Sequence, residues 1–188
     1  MNFLEYLRQF HPIDDSEYTQ LTSFFKRRDF KKGELIICAG EIQRELYFVN
    51  KGVQMSFVDT AQKQHVVAFT YPPNICAIPE SFLFQKPAPY NLISLTASEC
   101  EAITFTELNM LFDRSQTMER LFRKMTEAFL VGVISRHIEL HTLTIEERFK
   151  SFTRQSKHLL QLVPHKYIAS YLGIDPTNFS KLYNSVKI

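Results

Sequence analysis

The spacing of the hydrophobic residues changes twice along the 188-residue chain, and this change constrains the fold more than any other feature. Between residues 26 and 106, short runs rich in Val, Ile, Phe and Tyr are separated by turn residues, as in a series of strands. Before and after this segment, apolar residues recur every three or four positions, as they do on a helix. The pattern predicts an α+β chain: an antiparallel β-roll with flanking helices, then a long helix, then a small helical C-terminal unit.

Glycine-containing turns separate the predicted strands of the central segment. Three of the five glycines lie in the turns Lys31-Lys32-Gly33-Glu34, Ala39-Gly40-Glu41 and Asn50-Lys51-Gly52. Strands of about six residues with turns about every 8–12 residues are typical of an antiparallel sandwich or barrel. A short helical turn over residues 79–85 interrupts the strands before the last two, which are predicted near 91–96 and 100–106.

The longest helical pattern covers residues 116–141. From residue 128 to 134 its sequence, Ala-Phe-Leu-Val-Gly-Val-Ile, is apolar on nearly every side, so this part of the helix needs cover from the β-roll and from a second body. The same helix of another copy would supply that cover in a homodimer, and a second helix of this chain is the alternative. The residues predicted at the dimer helix are Leu121, Met125, Ala128, Phe129, Gly132 and Val133.

A break near residue 143 separates the long helix from the rest of the chain. Thr144 and Glu147 have the spacing of a capping box, which predicts a new helix start. Residues 143–188 carry seven basic and three acidic side chains, a formal charge of +4, whereas the other 142 residues carry −2. This imbalance favours a polyanionic partner, although a solvated basic surface would give the same count. We predict three domains: a sensor domain over 1–115, a dimerisation helix over 116–142 and a C-terminal domain over 143–188.

Composition and motif searches exclude several classes of protein. No apolar run reaches the roughly 20 residues that cross a bilayer, and the first residues lack the features of a signal peptide, so we expect a cytoplasmic protein with no membrane partner. Cys38, Cys76 and Cys100 are widely spaced, which favours free thiols. His137 and His141 share a helix face but have no evident third ligand, so no metal is predicted. Because no nucleophile–base pair or phosphate loop is found, no catalytic site is predicted and the chain is not expected to be an enzyme.

The most informative motif lies near the C-terminal end, where two short helices are predicted on either side of Gly173. Ala169 is small enough for two helices to touch, and Gly173 tolerates the positive φ of a sharp turn. Asp175 is placed to cap the second helix, with Pro176 in its first turn. This is the pattern of a helix-turn-helix, although an inert helical hairpin could also satisfy it. The residues expected to fill the space between the helices are Ile168, Leu172, Ile174, Phe179 and Leu182.

The second helix of such a motif enters the major groove of DNA and presents polar side chains to the bases. Asparagine can bond adenine, lysine can donate to guanine, and threonine can reach a base or a thymine methyl. Phosphate contacts from the first helix would fix the register. The predicted base-contacting residues are Thr177, Asn178, Lys181 and Asn184, and the predicted phosphate-contacting residues are His165, Lys166 and Tyr167. Double-stranded DNA is therefore the predicted partner.

Together, the central segment and this motif resemble the Crp/Fnr superfamily of bacterial transcription regulators over nearly the whole chain. The resemblance implies a cyclic-nucleotide-binding-like β-roll, a homodimer along the long helix and a two-fold symmetric DNA site. RNA polymerase is a further candidate partner. The stretch Tyr167-Ile168-Ala169-Ser170-Tyr171-Leu172-Gly173-Ile174 is especially similar to Bacteroidetes-type members. The other stretches that carry the resemblance are Phe30-Lys31-Lys32-Gly33-Glu34, Gly40-Glu41, Leu46-Tyr47-Phe48-Val49-Asn50-Lys51-Gly52 and Pro79-Glu80-Ser81-Phe82-Leu83.

The chain departs from the family members that bind cyclic AMP. Those members carry a glycine–glutamate pair, a short helix, and then an arginine followed by a small residue. Here Pro79-Glu80-Ser81 keeps only the glutamate, and Pro87-Ala88-Pro89-Tyr90-Asn91 stands where the arginine should be. A cyclic phosphate buried without a cation would cost several kcal/mol, so cyclic AMP is not expected to bind in the usual mode. An effector pocket of unspecified ligand, with no assigned cofactor, is still predicted at Glu80, Ser81, Pro89, Tyr90 and Asn91.

The second helix of the motif also departs from the family. Close relatives carry Glu-Thr-Leu-Ser-Arg after the proline, whereas this chain has Thr177-Asn178-Phe179-Ser180-Lys181. Loss of the arginine fork weakens bidentate recognition of guanine, so the base preference cannot be transferred. Two functions are therefore compatible with the sequence. One is a dimeric DNA-binding regulator in which the β-roll senses a signal, and the other is an interaction module of the same fold that has lost DNA binding.

Overall fold

The computed structural model describes residues 3–185, and helices surround a central group of strands. The strands all lie in the first 104 residues, and α5 is the longest helix. The elements, in chain order, are α1 (Phe3–Arg8), α2 (Asp15–Thr22), β1 (Lys26–Phe30), β2 (Leu35–Ile37), β3 (Glu45–Lys51), β4 (Gln54–Asp59), β5 (Gln64–Thr70), β6 (Ile75–Cys76), α3 (Pro79–Phe84), β7 (Asn91–Ser94), β8 (Ser98–Thr104), α4 (Phe105–Arg114), α5 (Gln116–Thr142), α6 (Ile145–Ser156), α7 (Leu159–Leu162), α8 (His165–Leu172) and α9 (Pro176–Ser185).

The strands form two antiparallel sheets of four strands each. Their strand orders are β1-β8-β3-β6 and β2-β7-β4-β5, so β5 lies at the end of its sheet. Ile37 and Leu92 of one sheet share a buried core with Tyr47, Val49 and Cys76 of the other. The α+β class and the antiparallel β-roll predicted from the sequence are confirmed.

Gly52 makes the tight connection between β3 and β4. Its φ of +96° is one that residues with a side chain rarely adopt. A Cβ at this position would lie 2.1 Å from the Oγ of Ser98 and 2.8 Å from the carbonyl oxygen of Ala97. The turn therefore needs glycine for its backbone angle and for the close approach of the β8 end.

Helices cover the outer side of the β1-β8-β3-β6 sheet. Leu7 of α1, Leu111 of α4 and Leu121 of α5 are buried in one cluster with Phe48 of β3 and Phe82 of α3. Apolar residues spaced three and four apart place these side chains on the inner face of each helix. The first turns of α5 are thus part of the core of the β-roll.

The middle of α5 differs from the prediction. Every residue from 126 to 135 is exposed in the protomer, so the prediction that its own β-roll covers one side of 128–134 is wrong. Met125 is the last residue of α5 that is buried against the β-roll, together with Leu121. These two residues belong to the core of the protomer and leave the predicted dimer surface. Six large apolar side chains of α5 are about half exposed or more: Phe129, Leu130, Val131, Val133, Ile134 and Ile138.

The helices after α5 build a separate group next to β5. Thr144 and Glu147 form the predicted capping box at the start of α6. Buried residues of α6 to α9 pack in one cluster with Val53, and Phe69 of β5 is packed against that cluster. The three-domain division stays a prediction, because this cluster crosses the predicted boundary. None of the helices within residues 3–185 is both long enough and apolar enough to cross a membrane.

Candidate nucleic-acid interface and effector pocket

The C-terminal helix pair, α8 and α9, is joined by a short turn at Gly173. The φ of Gly173 is +61°, as the sequence predicts, and this left-handed residue ends α8. The N–H of Ile174 donates to the carbonyl oxygen of Ala169 at 2.9 Å, which closes the turn. The reversal of the chain is therefore fixed by backbone hydrogen bonds as well as by the glycine.

Asp175 caps the second helix of the pair. Its Oδ1 accepts the N–H of Thr177 at 2.8 Å and the N–H of Asn178 at 3.4 Å. Pro176 follows in the first turn, where a residue without an N–H leaves no donor unpaired. The capping prediction is confirmed, and α9 begins directly before Thr177 and Asn178, the first two residues predicted to contact bases.

A continuous apolar core holds the helix pair together. The ring of Phe149 in α6 stands edge-on to the ring of Phe179, with centroids 5.5 Å apart. The other buried members from α8 to α9 are Ile168, Ala169, Leu172 and Ile174. Because α8 and α9 share this core, they are packed together as one unit.

The outer side of α9 carries the residues predicted to read bases. Thr177 and Lys181 each lie two positions from the buried Phe179, which places them about 200° away around the helix axis. Asn184 lies on the same side of α9 as Thr177 and Lys181, and Asn178 lies at the edge of this side. All four predicted side chains are exposed. The structure thus brings together a polar outer face with one lysine.

The residues predicted to contact phosphates are less uniform. His165 is half-buried, and its ring lies 4.4 Å from that of Tyr183 and 5.3 Å from that of Phe179. Tyr167 is also half-buried, with the Nζ of Lys166 4.8 Å from the centre of its ring. Only Lys166 of the three predicted residues is fully exposed, so His165 and Tyr167 contribute to packing.

Two arginines that the motif does not contain hold the end of α8. The Arg136 guanidinium lies 3.9 Å over the ring of Tyr171 and donates a hydrogen bond to the carbonyl oxygen of the same residue. Arg148 donates to the carbonyl oxygens of Leu143 at 2.9 Å and Gly173 at 3.3 Å. Cations are favourable at the carbonyl end of a helix. Burial lowers the pKa of Arg136, and Arg148 adds to this effect.

Ser81, one of the predicted effector residues, is fully buried and serves the fold. Its hydroxyl accepts the N–H of Gln43 at 2.8 Å and donates to the carbonyl oxygen of Lys86 at 2.8 Å. The Gln43 side chain in turn accepts the N–H of Ile78 and donates to the carbonyl oxygen of Glu45. These bonds anchor α3 to the β-roll. The Ser81 hydroxyl is therefore already paired as donor and acceptor, and the anchoring role of Gln43 had no local sequence signal.

The remaining predicted effector residues are closer to the surface. The Tyr90 hydroxyl bonds the carboxylate of exposed Glu80, and burial, followed by the charge of Glu80, raises the pKa of Tyr90 to about 12. Asn91 accepts the N–H of Ala39 at 2.8 Å and donates to Asp59 at 3.3 Å. Pro89 is exposed. Glu80 and Tyr90 are thus brought together, whereas Asn91 pairs with other loops.

The stretch over residues 87–91, where the family's arginine would be expected, is bonded to the β-roll through the backbone of Ala88. Ala88 is buried, its N–H donates to the carbonyl oxygen of Glu41 at 2.7 Å, and its own carbonyl accepts the N–H of Gly40 at 2.8 Å. Lys86 points outward, with its Nζ 6.0 Å from the centre of the Phe84 ring. None of the buried polar side chains in the described part of the chain is charged: Gln43, Gln54, Ser56, Ser81, Ser94, Ser98, Ser151 and Ser156.

A cavity of about 620 Å³ lies between α1, α3, α4 and α5. Its walls are mainly apolar and include Phe10, Leu83, Phe112, Phe122 and Phe129. This volume is in the range of small-molecule sites. The five predicted effector residues are absent from the described lining, so this cavity is separate from the predicted effector pocket.

The paired histidines of α5 lie beside each other. The ring centroids of His137 and His141 are 4.3 Å apart. Across residues 3–185, no group of three or more His, Cys, Asp or Glu side chains is placed to hold a metal ion. Cys38, Cys76 and Cys100 are free thiols.

Comparison with known proteins finds one family and a common fold. Residues 27–115 match the family model of the cyclic nucleotide-binding domain. No curated protein sequence matches this chain. FixK2 from Bradyrhizobium japonicum has a similar structure with a TM-score of 0.74 at 16% identity, covering 85% of this chain and 83% of that one.

Two further solved structures are similar at comparable identity. The catabolite activator protein of Thermus thermophilus gives a TM-score of 0.60 at 18% identity, covering 94% of this chain and 84% of that one. CLP of Xanthomonas campestris, a c-di-GMP responsive global regulator, gives 0.64 at 15% identity, covering 91% and 90%. At these identities the similarity establishes the fold and not the function.

Proposed function

We propose that this chain is a dimeric, DNA-binding transcription regulator of the Crp/Fnr type. The cyclic nucleotide-binding domain match over 27–115 and the regulators that share its fold support this class. The similar proteins are regulators rather than enzymes, which agrees with a non-catalytic role. The observation that carries the proposal is the capped α9 helix, whose outer face presents Thr177, Lys181 and Asn184 to solvent.

The helix pair has the properties that a major-groove reader needs. Its shared core makes α9 rigid, and the left-handed turn at Gly173 sets its angle to α8. The chain from residue 143 onward carries a formal charge of +4, which suits a polyanion. In this role α9 is the reader helix, and Lys166 at the start of α8 is suited to a phosphate.

A homodimer along α5 is the second part of the proposal. The six exposed apolar side chains of α5 lie within ten residues of one helix, and clusters of exposed apolar side chains mark protein–protein contacts. Packing against the same helix of a second copy would bury them. Two copies would then present two reader helices about 34 Å apart to a two-fold symmetric site.

The third part of the proposal concerns the effector. We infer that cyclic AMP does not bind in the mode that uses an arginine, because residues 87–91, which stand where the arginine should be, contain no basic side chain. Ser81, whose hydroxyl is already bonded twice, is also unavailable to a ligand. A small-molecule effector of another kind, and contact with RNA polymerase, stay predictions.

DNA binding is tested first by its dependence on salt. Wild-type protein is titrated with a pool of double-stranded fragments, and the selected sequence is then measured by fluorescence anisotropy at several salt concentrations. We expect a two-fold symmetric site and a steep fall of log K with log salt, because phosphate contacts release counterions. The interaction module without DNA binding predicts no selected site, and that result would refute the regulator.

Lys181 provides the residue-level test of the reader helix. Lys181→Ala should weaken binding to the selected site by roughly 1–3 kcal/mol and should weaken binding to random DNA much less. Lys32→Ala, which removes an exposed lysine from a turn of the β-roll, is the matched control and should change neither. Equal losses on both DNAs would show that Lys181 contacts phosphate rather than bases.

A further inference from the structure

The outer edge of β5 is occupied by a side chain from α8. β5 is the last strand of its sheet, so one side of its backbone has no strand partner. The N–H of Val66 donates to the Ser170 hydroxyl at 3.0 Å, and that hydroxyl donates to the carbonyl oxygen of Gln64 at 3.1 Å. A serine hydroxyl can donate and accept at once, so a single side chain satisfies both backbone groups. Ser170 thus takes the place of a further strand at this point of the edge.

Aromatic contacts extend this junction along the strand and beyond it. The ring of Phe69 in β5 lies 5.3 Å from that of Tyr171 in α8. Just after β5, the Tyr71 hydroxyl is 2.6 Å from the Ser156 hydroxyl, and the Tyr71 ring lies 4.5 Å from that of His158. The junction between the β-roll and the C-terminal helices therefore combines hydrogen bonds with contacts between aromatic rings, three of which are half-buried.

α8 is also held at its C-terminal end, next to Ser170, by α5 and α6. Arg136 of α5 covers the Tyr171 ring and bonds its carbonyl oxygen, and Arg148 of α6 bonds the carbonyl oxygen of Gly173. Residues 126–135 of α5 have no cover in the protomer, so they add no lateral support to the C-terminal helices. The place of α8 relative to the β-roll is consequently set by β5, by the two arginines and by the apolar cluster that α6 to α9 share with Val53, besides the continuity of the chain.

We propose that Ser170 and Arg136 are positioning residues, which fix the reader helix relative to the β-roll through the outer edge of β5. This inference rests on the proposed function, because α9 matters as a reader only if the protein binds DNA. Since α8 and α9 share one core, whatever orients α8 also orients α9. The β4–β5 hairpin then gives each protomer a route from sensor to reader that does not pass through the dimer helix.

The first test measures the docking itself, by amide hydrogen exchange in the full chain. The Val66 N–H points at Ser170, so its exchange reports docking. The Ile174 N–H, which bonds Ala169 within the helix pair, reports whether the pair stays folded. Ser170→Ala should speed exchange at Val66 about fivefold or more and leave Ile174 unchanged. Unchanged exchange at Val66 would overturn the inference.

The second test measures reader position with DNA. Sites with the half-site spacing changed by one base pair are compared with the selected site. Wild type should discriminate strongly against the altered spacing, and Ser170→Ala and Arg136→Lys should each reduce that discrimination several-fold. Ser170→Thr keeps the hydroxyl and should retain it, and Thr19→Ala, which removes an exposed hydroxyl from α2, is the control. Spacing discrimination that survives in both Ser170→Ala and Arg136→Lys would refute a positioning role.

The two tests separate this inference from the proposed function. If wild type selects no DNA, the regulator is refuted, whereas the Val66 exchange still decides whether β5 holds α8. If Ser170→Ala also speeds exchange at Ile174, the helix pair itself has loosened. Arg136→Lys then decides, because it leaves the hydroxyl bonds to β5 in place and removes only the planar group over Tyr171.

Discussion

Enlarging Gly132 should affect the protomer and the dimer in opposite directions. A Cβ built at Gly132 has no neighbouring atom within 4 Å, so the protomer has room for a side chain there. Glycine inside an exposed helix costs about 1 kcal/mol relative to alanine. Gly132→Ala should therefore raise the free energy of unfolding of the protomer by about 1 kcal/mol. Gly132→Leu should give nearly the same gain, because leucine is also a strong helix former.

The proposed dimer should be weakened by the same substitutions. If the two α5 helices approach each other at Gly132, an added leucine side chain forces their backbones apart. Overpacking of this kind costs about 1–3 kcal/mol. The dissociation constant of the dimer should accordingly rise roughly 5- to 150-fold for Gly132→Leu, and less for Gly132→Ala, which adds a single carbon.

Two measurements separate these effects. Sedimentation equilibrium over a range of protein concentrations gives the dissociation constant, and urea unfolding well below that constant gives the stability of the protomer. A Gly132→Leu variant that dimerises as tightly as wild type would refute a helix crossing at this glycine. If the Gly132→Leu protomer is less stable than the wild-type protomer, the prediction that residue 132 has room for a side chain in the protomer is refuted.

Three further predictions concern the β-roll. Gly52→Ala should lower the free energy of unfolding, measured by urea denaturation, by about 2 kcal/mol or more. The φ of residue 52 is positive, and the new Cβ would lie 2.1 Å from the Oγ of Ser98. A loss below about 0.5 kcal/mol would contradict this prediction. The hydrogen bond from Lys26, with those of the helix cap, lowers the pKa of Glu107 to about 2, so its stabilisation is complete above pH 4.5 and is lost as the pH falls toward 2. Glu107→Gln should flatten the pH dependence of unfolding in that window, and an unchanged acid limb would contradict it. Burial raises the pKa of Cys76 and Cys100 to about 12. Alkylation of the native protein at pH 8 should therefore modify one thiol per chain, that of Cys38, whereas alkylation in denaturant should modify all three. Early modification of all three thiols in the native protein would contradict this prediction.

The features that the sequence predicted correctly are those with a local signal. Alternating hydrophobicity and glycine turns predicted the β-roll, because strand pattern and turn chemistry act over a few residues. Gly173 and Asp175 predicted the turn and cap of the helix pair for the same reason, since each bonds backbone groups within four residues of itself.

The features that the sequence could not predict act over long separations. The bond between Arg136 and Tyr171 spans 35 positions, and that between Ser170 and Val66 spans 104. No period or motif relates such residues, because their proximity is created by the packing of whole elements. The error over 128–134 has a related cause. An apolar pattern shows that a surface needs cover, and it does not identify the body that covers it.

In the proposed regulator, the dimer helix and the β5 junction would control different properties of the reader helices. The dimer helix of that regulator would hold the two protomers together, whereas the junction would fix the place of each reader helix on its own β-roll. The two should therefore be separable by mutation: Gly132→Leu should weaken the dimer without changing amide exchange at Val66, and Ser170→Ala should do the reverse. Distant and independent sites give additive effects. A double variant whose loss of DNA affinity departs from the sum of the single losses by more than about 0.5 kcal/mol would show that sensor and reader communicate through one connected route, along α5 and β5 together.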